Sequence, residues 1–152
     1  MRFAPLSIAI LAIAFLTTTG CSTSKPSAAD EYYGMDVYLP NGKKILAEEA
    51  RTETMMMRGM MFRDSLAEDR GMLFTHGEPG NFPYWMFQVR IPLDILWLDS
   101  RRRVVEIVEN AAPCAQKPCP SYGGKEKALY VLELAGGSVK KHHLQVGDVL
   151  RF

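Results

Sequence analysis

The chain has 152 residues, with 18 basic and 17 acidic side chains, three histidines and three cysteines. That length suits one domain whose core forms without help from metal or disulfide, and 47% hydrophobic against 23% charged residues excludes global disorder. A formal charge of +1 excludes a nucleic-acid binder that relies on a broad basic field.

Met1-Arg2 precede an apolar run from Leu6 to Leu16. This is the layout of a secretory signal, and the run is shorter than the roughly 20 residues of a spanning helix. It ends in Thr17-Thr18-Thr19-Gly20-Cys21, which resembles the lipobox of bacterial lipoproteins, with Thr18 where leucine is usual. The resemblance implies that residues 1–20 are a signal peptide and that Cys21 carries the lipid that holds the protein on a membrane. A free Cys21 after an ordinary signal, or an uncleaved anchor, are the alternatives. Cleavage leaves 152 − 20 = 132 residues and, with Arg2 lost, 17 basic against 17 acidic side chains, so attachment relies on lipid and not on bulk charge. Residues 21–33 read as the lipidated N-terminus and a flexible tether. Ser22 after Cys21 implies, by resemblance to the sorting rule of enteric lipoproteins, the periplasmic face of the outer membrane.

The domain then occupies residues 34–152. Met35–Leu39 alternates as a strand, Pro40-Asn41-Gly42-Lys43 suits a type I′ hairpin turn, and Ile45–Ala47 begins the return strand. Thr52 is placed to cap a helix running to about Met60, with Gly59 at its end. Asp64 or Ser65 suits the cap of a further single turn through Asp69. Gly71–Phe74 reads as a strand and residues 76–83 as a loop. Three strands follow: Tyr84–Phe87, Leu93–Leu98 and Val104–Val108, the last two joined by the hairpin-length Asp99–Arg103.

Cys114 and Cys119 come next, in a loop with three prolines. In an exported protein, thiols with four residues between them are expected to pair as a disulfide. A zinc half-site lacks a second ligand pair, and the spacing is not that of a C-x-x-C redox motif. Leu129–Leu134 is a further strand, Ser138–His143 a short helix, and Val149–Phe152 a final strand. Many short strands between Gly/Pro turns give a mostly β fold, a compact single-domain barrel or sandwich with one or two short helices.

Three segments carry a family resemblance. They are Arg58-Gly59-Met60-Met61-Phe62-Arg63 with Gly71-Met72-Leu73-Phe74; Trp85-Met86 with Ile91-Pro92-Leu93-Asp94-Ile95-Leu96-Trp97-Leu98-Asp99; and Cys119-Pro120-Ser121-Tyr122 with Ala128–Leu134 and Gly147-Asp148. In order and spacing across residues 45–152 they resemble the family called domain of unknown function 192. The resemblance implies a small β-rich fold and brings no established activity. Phe87-Gln88-Val89 stands where the family has Lys-Asn-Thr, so no role built on that lysine carries over.

Asp94 interrupts an apolar strand, and a carboxylate there needs a partner. It reads either as a site acid with a perturbed pKa or as a structural partner of Arg58, Arg63 or backbone amides near Pro92. Met55, Met56, Met57, Met60 and Met61 offer soft sulfur to Cu(I), yet their spacing also suits a helix packing on a sheet, the reading the sequence favours. His142 and His143 do not make a metal pair, and His76 reads as a surface loop residue. No nucleophile elbow or phosphate loop is present. No cofactor or metal site is therefore expected. The reading is a monomeric envelope lipoprotein, a non-enzymatic binding or accessory module for a small molecule or protein, with Arg58, Arg63, Trp85, Asp94 and Tyr122 as its candidate surface. A hydrolase using Asp94 and a Met-rich copper protein are the alternatives.

Overall fold

The computed structural model describes residues 33–152. The expected signal segment, the lipid site Cys21 and the tether up to residue 32 lie outside these residues. Tyr33, placed in the tether by sequence, is the first residue of a strand. The elements are β1 (Tyr33–Tyr38), β2 (Lys44–Ala50), α1 (Glu53–Arg58), β3 (Arg70–Gly80), β4 (Tyr84–Trp85), β5 (Leu93–Leu98), β6 (Val104–Ala111), β7 (Ser121–Tyr122), β8 (Ala128–Ala135) and α2 (Ser138–His142). Six strands form one sheet in the order β1-β2-β3-β8-β5-β6, while β4 pairs with β7 apart from it. Neighbours in the main sheet are antiparallel except β2 and β3, which run parallel with α1 in the connection between them. The fold is mostly β, and the main sheet is not closed. None of the helices among the described residues is long and apolar enough to cross a membrane.

The C-terminal segment differs from the expected final strand. Arg151 exchanges backbone hydrogen bonds with Tyr38 at the end of β1, while the Leu150 amide donates to Arg102, just before β6. Its backbone groups are divided between the two outer strands of the sheet, so it forms isolated bridges instead of a continuous ladder.

Both faces of the sheet are covered, and β5 is buried along its whole length. Leu96 and Leu98 face one core with Ile45, Leu73, Leu132 and Val139 of α2. Leu93, Ile95 and Trp97 face the other, with Met60, Met72, Phe74 and Val131. This two-sided burial forces any polar group on β5 to find partners inside the protein. Asp94 does so with main-chain amides. Its Oδ1 accepts from the Asn110 amide at 2.8 Å and its Oδ2 from the Val139 amide at 2.7 Å. The second bond caps α2, whose own N-cap residue, Gly137, has no side chain to do it. One carboxylate thus ties the end of β6 and the first turn of α2 to β5.

Local chemistry explains the other departures from expectation. The β1–β2 connection is not a type I′ turn: Pro40 fixes a negative φ at the second position, and Gly42, at +82°, takes the left-handed residue instead. The expected loop over 76–83 is largely strand, because β3 continues to Gly80. Its register with β8 breaks after Thr75 and resumes at Gly80 opposite Ala128, so a bulge absorbs the residues between. The helical turn expected after Asp64 does not form; Asp64 instead accepts from Arg90 at 2.8 Å. The Tyr84–Phe87 strand shortens to two residues, and Phe87 makes an isolated bridge to Cys114.

Asp94→Ala takes the acceptor from one buried and one partly buried amide and is expected to lower the unfolding free energy by roughly 3 kcal/mol. Asp94→Asn keeps one carbonyl acceptor and should lose about half of that. Urea unfolding of the two variants checks the order.

Candidate functional site

α1 is short but defined at both ends. Thr52 Oγ1 accepts from the Met55 amide at 3.2 Å, and Gly59, at φ +45°, returns its amide to the Met55 carbonyl. The helix therefore stands beside the ends of β2 and β3 and beside β4. A groove of about 810 Å³ opens between these elements. Met56, Met57, Phe82, Tyr84 and Trp85 supply its apolar walls, and Glu49, Arg51 and His76 its polar ones. A second hollow of about 490 Å³ shares Met57 and Trp85 with it and adds Arg58, Met61 and Phe87.

The groove wall is held by an aromatic network anchored in the core. Trp97 is fully buried and donates its indole N–H to the Phe82 carbonyl at 2.8 Å. Gly123 lies flat against it at φ +61°, where a Cβ would sit 2.4 Å from the Trp97 ring. Tyr84 meets Phe74 and Trp97 edge-on, with ring centres 5.1 and 5.9 Å apart. His76 stacks on Phe82 at 3.5 Å between centres, and its Nε2 lies 3.2 Å from the Tyr84 hydroxyl. Burial lowers the His76 pKa and raises that of Tyr84, with the Glu133 carboxyl adding to the latter. Both rings are accordingly uncharged at neutral pH. Glu49 is also buried, held by Arg51 at 2.7 Å and by the Thr75 hydroxyl at 3.1 Å.

The residues singled out from sequence are dispersed. Trp85 stands on the groove rim, 44% exposed, and Arg58 lines the second hollow. Arg63 grips Glu48 through two 2.6 Å bonds. Asp94 is sealed in the sheet, and neither hollow is lined by it. Tyr122 pairs with Tyr84 across β4 and β7 and accepts from the Ala112 amide at 3.2 Å, so it supports the wall. Cys114 and Cys119 form a disulfide, with Cα atoms 5.9 Å apart. Their loop carries Lys117, whose ammonium lies 4.9 Å from the ring centres of both Trp85 and Phe87.

Two site residues escaped the sequence reading. His76 is half-buried in the aromatic network and not a surface loop residue. Glu133 is the more telling. It lies on β8 between Met72 of β3 and Ile95 of β5. It is 4% exposed, and its Oε2 has no hydrogen-bond partner among the described residues. Burial pushes its pKa up to about 8, against an opposing pull from Arg63. The signal was present as one charged residue inside Leu129–Leu134, the same pattern that drew attention to Asp94.

The raised pKa fixes the sign of a pH dependence. Between about 4.5 and about 8 the folded protein keeps a proton that the unfolded chain releases. The corresponding stability is complete below the lower value and is lost as pH rises through the upper one. Urea midpoints should therefore fall from pH 5 to pH 9, and Glu133→Gln should flatten that fall. Equal slopes for the two proteins would contradict the assignment.

Comparison with known proteins places this geometry in a family. A crystal structure of a Sinorhizobium meliloti 1021 protein, provisionally described as a transcription regulator, is similar at 32% identity and a TM-score of 0.70, covering 79% of this chain and 94% of its own. A protein of unknown function from Novosphingobium aromaticivorans DSM 12444 is similar at 29% identity and a TM-score of 0.72, covering 84% of this chain and 90% of its own. No curated protein matches the chain. The family model described as DUF192, uncharacterized ACR, matches residues 37–152, which extends the likeness seen over 45–152 back into β1. Over nearly all of its described domain, the chain belongs to the DUF192 family.

Proposed function

We propose that the protein is a lipid-anchored module of the bacterial envelope that binds an extended, apolar peptide segment carrying an acidic residue, and does no chemistry on it. The observation that carries this reading is the pair of joined hollows around Met57 and Trp85. Because they share Met57 and Trp85, one extended segment can lie across both, and thioether and aromatic walls repack around varied apolar side chains. Arg58 and Lys117 flank the second hollow and favour an acidic group there. Asp94, the acid on which a hydrolase would turn, has both oxygens committed to main-chain amides. The description of the S. meliloti relative concerns that protein; an almost even charge offers this chain no field for DNA.

The anchor fits the same reading. Tyr33 pairs with Glu49, a residue of the groove, so the chain enters the domain beside the groove. Eleven residues, 22 to 32, separate Cys21 from Tyr33, a reach of at most about 43 Å. A lipid at Cys21 would hold the groove near the membrane surface, facing the periplasm.

Fluorescence anisotropy with labelled twelve-residue peptides of graded apolar and acidic content tests the binding. Apolar-acidic peptides should bind, and Trp85→Ala should weaken them by about 2 kcal/mol, roughly thirtyfold, without changing the unfolding midpoint. Failure of the whole set, or equal binding by the variant, would sink the proposal. Separately, Cys21→Ser should move the mature protein out of the membrane fraction; a matured variant that stays there contradicts the lipid anchor.

A further inference from the structure

Beneath the groove, among Met56, Met57, Tyr84 and Trp85, lies a cavity of about 30 Å³. That is room for one or two water-sized guests and not for an organic ligand. α1 and the turn after it place four methionines in its lining: Met56, Met57, Met60 and Met61. Glu133 of β8 also lines it. The Glu133 Oε2 is buried without a hydrogen-bond partner among the described residues, a costly state for a polar atom. Arg63, whose guanidinium holds Glu48, also acts on this carboxyl from nearby.

We propose that this cavity is a site for one soft monovalent metal ion, Cu(I) or Ag(I), held by methionine thioethers and the Glu133 carboxylate. Thioether sulfur prefers soft ions, and the cavity is sized for a single ion. One carboxylate balances one positive charge; a divalent ion would leave a second charge uncompensated in an apolar site. Zinc and harder ions also lack ligands, since among the described residues no three His, Cys, Asp or Glu side chains gather in a metal-binding group. Tyr84 and Trp85 complete the lining with aromatic surface, which attracts cations. Arg58 also lines the cavity, but it is an exposed residue whose long side chain also lines the second hollow and can turn its charge there, away from the ion. Five clustered methionines therefore divide: Met55 packs in the core, and the other four surround the site. The ion enters as a monovalent cation in exchange for the proton of the Glu133 carboxyl, which is released to solvent, and it leaves by the reverse exchange; no electron is transferred, and peptide binding in the groove does not depend on it.

The test is titration of the full chain with silver(I) alone, followed by calorimetry and native mass spectrometry, with Cys21→Ser in every sample to remove that thiol. One Ag(I) per chain is expected, and zinc(II) should not bind. Glu133→Gln and Met61→Leu should each weaken Ag(I) tenfold or more. Leucine preserves the volume of the methionine it replaces, and Met57→Leu, at a 69% exposed position, serves as a second thioether variant that spares the core. Absence of a stoichiometric complex would mean that the cavity holds water and would overturn the proposal. So would undiminished affinity in Glu133→Gln together with both leucine variants, each shown to unfold cooperatively.

Discussion

Two neighbouring interior strands of the sheet, β8 and β5, are covered by side chains on both faces, and the rest of the structure follows from that constraint. A polar group on either strand has little water to turn to. Each strand nevertheless carries one carboxyl: Asp94 on β5 and Glu133 on β8. Asp94 is satisfied by two main-chain amides from separate elements, which makes it an organiser of the fold. It explains how α2 starts after a pair of glycines, and it holds β6 where its register with β5 shifts.

Glu133 has no such settlement. It faces the same core as Met72, Phe74 and Trp97, and the short helix α1 closes over that core without offering it a donor. The imbalance is local to the region where the groove forms. There the structure is precise in its supports: a threonine cap and a glycine stop fix α1, a buried tryptophan supports the aromatic wall, and a disulfide loop brings a lysine over Trp85 and Phe87. A well-supported wall beside an unsatisfied buried carboxyl is the arrangement expected of a binding site, where local energetics are compromised and the surroundings compensate.

Much of this was legible in the residues. The strands at 93–98 and 129–134 stand out by β-branched and apolar runs, the Thr52 cap and Gly59 stop by type and position, and the disulfide by the spacing of its cysteines and the export expected from the N-terminus. What was not legible depends on groups far apart in sequence. Asp94 caps a helix 45 residues away. β3 passes through a Gly/Pro-rich stretch that reads as loop, because pairing with β8 overrides local propensity. The outer strands are bridged by a C-terminal segment whose own sequence reads as an ordinary strand. Arg63 and Tyr122 carry strong motifs, yet one grips Glu48 and the other supports a wall. The charge inside β8 was visible, but its lack of a partner becomes visible only when α1 is folded over it.

Glu133 is a buried carboxyl without a hydrogen-bond partner for its Oε2, set apart from every other acid among the described residues. Carbon-13 NMR of protein labelled at glutamate carboxyls reads this directly. One resonance should titrate near pH 8, against 4.5 for an unperturbed glutamate, and should vanish in Glu133→Gln. If every glutamate carboxyl titrates in the ordinary acidic range, Glu133 has a partner or reaches water, and the account of the site fails.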